Sequence, residues 1–267
     1  MARRSRKLFL TSKTESSQHT AKNSKTRLLA LTSSFAVIYA TLRIVPTFPV
    51  VGVPGASFAS SDILVPLYGV ILGPIFGGAA VVLGTFLAVV LGKPLIFLGL
   101  DFLPAAAGTI AVGFLARGKR APVIALFLAA LAIFSAHPLS LVLVSLPFGS
   151  IPFNWMHIAV IVLLFTPLSS RAADWINSKS VSQVARGLGI LAISGTMIQH
   201  LVGGIIFETV LGLIIGRYTQ QQFVGIWTTI FFVYPIERIT LVAASILLGT
   251  PLLRNIGLAG LDRKYLR

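Results

Sequence analysis

The apolar residues of this chain come in long, nearly uninterrupted runs, and no other feature limits its fold as strongly. Eight stretches stand out, at about residues 28–45, 62–72, 74–91, 95–116, 122–146, 155–170, 187–216 and 223–250. In hydrocarbon, backbone N–H and C=O groups find no water, so a crossing segment is a helix or part of a closed barrel. Barrel strands alternate apolar and polar residues over about 10 positions. A run such as residues 123–134 is apolar on every side, so it reads as helix. Composition matters here in one respect: only 11% of residues are charged, against about 25% in a soluble domain. The expected fold class is all-α, a polytopic transmembrane helical bundle with most of its mass in the lipid bilayer.

Charge placement supplies the topology. The net charge is +15. The basic residues gather in the tail over 1–27, in Arg117-Gly118-Lys119-Arg120, in the 171–186 loop and in the final stretch from Arg254 to Arg267. Loops of this kind stay in the cytoplasm. Nucleic acid is not an expected partner, because no basic soluble module is present to hold it. Residues 63–91 could form one long helix or a hairpin broken at Gly73-Pro74. Proline opens helices and disfavours helical geometry in the residue before it. Only the break puts all the basic segments on one side. The sequence therefore predicts eight membrane segments in the plasma membrane, with both termini cytoplasmic. The uncharged 46–61 loop, with Pro46, Pro49 and Pro54, then lies outside, as a plain connector or as a lid over a site.

Several chemistries are excluded or unsupported. There is no cysteine, which removes disulfides, thiolate catalysis and Cys-ligated zinc. The seven acidic residues (Glu15, Asp62, Asp101, Asp174, Glu208, Glu237, Asp262) form no pair at helical spacing, and His19, His137, His157 and His200 lack metal-ligand spacing. Gly92-Lys93 is followed by Pro94, so no Walker A loop exists. No enzyme activity, metal or cofactor is expected. Active transport by such a chain would take its energy from another subunit or from an ion gradient.

Polar residues at membrane depth are costly and often functional. Asn154, Trp155 and His157 fall at the outer end of the sixth run, beside Phe153, and Asp101 near the start of the fourth. Lys93 and Asp62 belong to the same face. Asn154 and His157 stand one turn apart, and Phe153 and Trp155 could stack on a planar ring; Trp155 also suits an interfacial anchor. In the last two runs, Gln199, His200, Glu237 and Arg238 are expected at one depth, as a polar cluster that is either structural glue or an ion relay. Small residues recur at Gly73, Gly77, Ala80, Gly84, Ala88 and Gly92, and at Ala36-x-x-x-Ala40. Such faces serve internal packing or partner binding.

Taken in order, these motifs resemble a family. Ala36-x-x-x-Ala40, the proline-rich loop, Ser61-Asp62-Ile63, Gly73-Pro74-x-x-Gly77, a fourth helix ending in Arg117-Gly118-Lys119-Arg120, and Ile151-Pro152-Phe153-Asn154 look like the substrate-binding S component of energy-coupling factor (ECF) vitamin transporters, nearest to riboflavin-type members. The resemblance covers about residues 28–175 and implies a six-helix S-component-like core there. It further implies a vitamin-like ligand taken from outside under the first loop, and Ala36 and Ala40 docking on a transmembrane coupling subunit driven by two ABC-type ATPases. On this reading Asn154, His157, Trp155, Phe153, Asp101 and Lys93 bind substrate. Riboflavin-type members carry an Asn and a Lys one turn apart at the start of the sixth helix; Asn154 matches, but this chain has His157 at the lysine position, which departs from the riboflavin pattern. The chain also continues past six helices, with an extra C-terminal hairpin at 187–250 and a basic tail at 251–267. Pro235-Ile236-Glu237-Arg238 followed by Thr250-Pro251-Leu252 is laid out like Pro152-Phe153-Asn154-Trp155 followed by Thr166-Pro167-Leu168. Either segment could be the counterpart of the family's last helix, and Glu237 and Arg238 could then hold the ligand. The alternatives are a self-sufficient ion-coupled transporter and a ligand-free structural membrane protein.

Overall fold

The structure, a computed structural model, describes residues 26–258. The basic tail over 1–27 falls almost wholly outside the described residues, as does the stretch 259–267. The helices are α1 (Thr26–Ile44), α2 (Val65–Val90), α3 (Leu103–Leu115), α4 (Ala121–Ala136), α5 (Trp155–Phe165), α6 (Pro167–Trp175), α7 (Val181–Phe207) and α8 (Gln220–Leu258). A 3-10 turn (Ser60–Leu64) leads into α2, and a π-helical segment (Glu208–Ile214) extends α7. Two antiparallel hairpins complete the chain: β1 (Pro46–Pro49) with β2 (Ser57–Ala59), and β3 (Leu143–Leu146) with β4 (Gly149–Pro152). The fold is an all-α polytopic bundle with very little sheet.

Proline marks the helix starts. α2, α3, α4 and α6 each carry one in their first turn, where an N–H would have no partner in any case. α3 ends ahead of Gly118 at φ +72°, the left-handed geometry that closes helix C-termini.

The break at Gly73-Pro74 is sharp. Gly73 has φ 85° and ψ −175° within otherwise helical backbone. A Cβ on Gly77 would lie 2.7 Å from the Tyr68 carbonyl oxygen. Residues nine apart in a continuous helix are separated by about 13 Å, so the two arms of α2 double back on each other. α3 seats in their angle, and a Cβ on Gly113 would lie 2.4 Å from the Pro74 nitrogen.

Counted by length and apolar composition among the described residues, four helical stretches suffice to cross a membrane: Thr26–Ile44, Ser60–Val90, Val181–Ile214 and Gln220–Ile256. The bent pair α5–α6 makes a possible fifth. Ser60–Val90 qualifies only as the sum of two arms. The remaining predicted runs are shorter than expected. α3 and α4 have 13 and 16 residues, about 20 and 24 Å against a core of about 30 Å. Residues 143–152, divided in the sequence reading between the fifth run and a loop, form the β3–β4 hairpin. The run at 155–170 breaks at Thr166-Pro167, where α6 turns away from α5 by 76°. Thr166 is extended (φ −76°, ψ 160°), as a residue before proline prefers. α8 passes through Pro251 to Leu258, beyond the expected end at 250.

Two expectations are corrected. The C-terminal pair is not an appendage to a self-contained 28–175 core. α7 packs against α2, α3, α4, α5, α6 and α8, so it is the hub of the bundle. Small residues make this possible: a Cβ on Gly108 of α3 would meet the Gly195 carbonyl of α7 at 2.8 Å. Ala36 and Ala40 do not present an open docking face either. They are 5% and 0% exposed. Gly84 of α2 lies against the Ala36 carbonyl and Tyr39, so α1 uses its small residues for close helix–helix approach. Val37 and Ile38 of α1 are the exposed residues at this level.

Candidate functional site

One end of the bundle holds a cavity of about 130 Å³. The β1–β2 hairpin roofs it with Val50, Val51, Ser57, Phe58 and Ala59. The 46–61 segment is thus a built hairpin and not a structureless loop. Its tip is tied down: the Tyr218 hydroxyl donates to the Gly52 carbonyl, and Ile226 of α8 packs against Gly52, itself at φ +85°.

Charged side chains from distant parts of the chain line the walls. α1 contributes Arg43, the 3-10 turn Asp62, and the connection between α2 and α3 Lys93 and Asp101. Gln199 and His200 come from α7, and Trp227, Tyr234, Glu237 and Arg238 from α8. Asp101 is held in place, since its carboxylate accepts the backbone N–H groups of Ile96 and Phe97 at 2.9 and 3.0 Å. Its carbonyl accepts Arg43 Nη2 at 3.1 Å. Gln199 Nε2 donates to Asp62 Oδ1 at 2.9 Å. Arg238 is 1% exposed, with Nη2 3.4 Å from Glu237 Oε2 and Nη1 3.4 Å from Thr196 Oγ1. Its guanidinium carbon stands 5.4 Å from the Phe58 ring centroid, within cation–π range. Burial pushes the Lys93 ammonium below the usual lysine range, and the Arg43 charge adds to this against a smaller opposing effect of Asp62.

Of the predicted substrate residues, only Asp101 and Lys93 reach the cavity. The other four do not line it. His157 and Phe153 stand behind the wall: His157 Nε2 is 3.1 Å from His200 Nδ1, and Phe153 stacks on His200. Tyr234 also stacks on His200, with ring centroids 4.8 Å apart, and donates its hydroxyl to the Phe153 carbonyl. Asn154 is buried, with its Oδ1 unpartnered. Trp155 is 42% exposed and lies on the outside of the bundle. The physical reason is that α7 and α8 stand between α5 and the cavity. Gln199, His200, Glu237 and Arg238 all line the cavity, but their side-chain bonds go to Asp62, His157, Thr196 and, between Glu237 and Arg238, each other, and do not form a single closed network.

Sequence reasoning overlooked Arg43, Phe58, Trp227 and Tyr234. Arg43 carried a usable signal, since it is the only basic residue between Arg27 and Lys93 and sits at the end of α1 away from the basic tail. The aromatics carried none: Trp227 and Tyr234 are typical of any apolar helix, and Phe58 of any apolar strand. A second polar group lies apart from the cavity, where Glu208, fully buried at the start of the π-helical segment, accepts Ser140 Oγ at 2.7 Å and lies 3.0 Å from His137 Nδ1. No group of three potential metal ligands occurs among the described residues. Compared with known family models, curated proteins and solved structures, the chain matches none.

Proposed function

We propose that this chain is the substrate-binding membrane subunit of an ECF-type importer. It captures a vitamin or similar micronutrient at the hairpin-roofed end, which faces outward, and passes it on through a transmembrane coupling subunit driven by two separate ABC-type ATPases. The observation that carries this is the cavity: charged and aromatic groups from α1, the 3-10 turn, the α2–α3 connection, α7 and α8 converge under a hairpin tied down by Tyr218. Binding pockets are mainly apolar with a few placed polar groups, and this one has that character. The counterpart of the family's last helix is then α8, with Glu237 and Arg238 in the cavity, and not α5. The basic Arg117–Arg120 stretch sits at the opposite end from the roof, which under the positive-inside rule supports cytoplasmic termini in a plasma membrane. With Ala36 and Ala40 buried, the coupling subunit meets a different face.

Affinity purification of the tagged chain from its native membrane tests this. A membrane subunit and Walker-A-bearing ATPases should come down with it in defined stoichiometry. Purified chain alone accumulating solute in liposomes under a proton gradient would overturn the importer reading in favour of an ion-coupled transporter, with the buried Glu237–Arg238 pair as its relay.

A further inference from the structure

Three cations and three carboxylates line the cavity, and the cations are the less closely bonded. The two bonds Arg238 does make are 3.4 Å long, against about 2.7–2.9 Å for a well-formed charge-assisted bond. Lys93 forms no ion pair within 4 Å among the described residues. By contrast, both Asp101 oxygens accept backbone N–H groups, and Asp62 accepts Gln199. Arg43, Lys93 and Arg238 share the lining with Asp62, Asp101 and Glu237 in equal number, but Asp101 and Asp62 already hold donors, while Lys93 has no acidic partner within 4 Å among the described residues and Arg238 only long bonds, so the lining is short of acceptors.

Size adds a second restriction. A dry engineered cavity of about 150 Å³ holds one benzene ring, and this cavity is of about 130 Å³. Phe58 and Trp227 supply ring faces beside the cations. We infer that the cavity takes a small organic anion of about one ring, whose carboxylate or phosphate is bound by Arg238 and Arg43. This rests on the ligand-binding reading above and narrows it to a class far smaller than a fused three-ring vitamin.

The test uses the full chain in lipid nanodiscs, titrated calorimetrically with benzoate, benzamide, benzylammonium and inorganic phosphate. Any small molecule released from the freshly purified protein on denaturation is identified by mass spectrometry. Benzoate should bind better than its two isosteres. Phosphate binding as well as benzoate would support the anion and assign it to the phosphate form. Arg238→Gln should weaken the anion at least tenfold, as loss of a charge-assisted bond does, and Arg43→Gln, at a less buried position, should act in the same direction. Glu237→Gln should tighten binding several-fold by freeing Arg238. A released molecule bearing an acidic group would support the inference. Benzamide or benzylammonium binding as tightly as benzoate, a released molecule without an acidic group, or unchanged affinity in both arginine variants would overturn it while leaving a ligand site intact. No released molecule and no binding of any probe would overturn the ligand site as well.

Discussion

Gly113→Ala is the sharpest probe of how the bundle is held together. The added Cβ would lie 2.4 Å from Pro74 N, 2.6 Å from Pro74 Cα and 2.7 Å from Gly73 C. Favourable contact between such atoms begins near 3.5 Å, so α3 and the α2 turn would have to separate by about 1 Å. All three neighbours are main-chain atoms at a turn already committed to φ 85°, so no rotamer change relieves the clash. Overpacking of this sort costs about 1–3 kcal/mol, and the upper end applies here. Gly225→Ala is the matched control. It also sits in a helix, but a Cβ there meets nothing within 4 Å. Removing an interior helical glycine should stabilise by about 0.5–1 kcal/mol, so the two changes carry opposite signs. Thermal unfolding in detergent, followed by the fluorescence of the three tryptophans, separates them. If Gly113→Ala melts with the wild type, or if both variants fall equally, the α2 hairpin does not grip α3 as described.

Three further outcomes follow from the same coordinates. Ala36→Trp should destabilise the protein by about 3 kcal/mol through overpacking against Gly84, while Val37→Trp on the exposed side, 54% open, should be tolerated; equal melting of the two would restore Ala36 to an open face. Tyr218→Phe removes the tie to Gly52, worth about 1 kcal/mol, and should raise amide exchange over residues 50–57 about fivefold; unchanged exchange would mean the tie does not hold the roof. In this cysteine-free chain, single-cysteine labelling reads topology directly: Phe148→Cys should react with an impermeant thiol reagent added outside and Lys119→Cys should not, and the reverse pattern would invert the protein in the membrane.

Local chemistry made much of this molecule legible in advance. Long apolar runs in a chain with few charges leave helices in lipid as the solution, because backbone polar groups there have only each other. Proline and glycine punctuation located the helix starts and the reversal at Gly73-Pro74, because their backbone restrictions act within one or two residues. Rise per residue alone led to the expectation that His200, Glu237 and Arg238 lie at one depth, and all three line the cavity. Tertiary structure decided the rest. Asn154 and His157 looked like a binding pair because spacing gives the face of a helix but not what stands in front of it, and α7 and α8 stand there. Ala36-x-x-x-Ala40 could signal an open face or a packed one, and the close approach of Gly84 made it packed. The cavity draws Arg43, Asp62, Asp101, Gln199 and Arg238 from positions up to 195 residues apart (43 to 238). Nothing in their local sequence states that they meet, because only the placing of α7 at the centre of the bundle brings them under one roof.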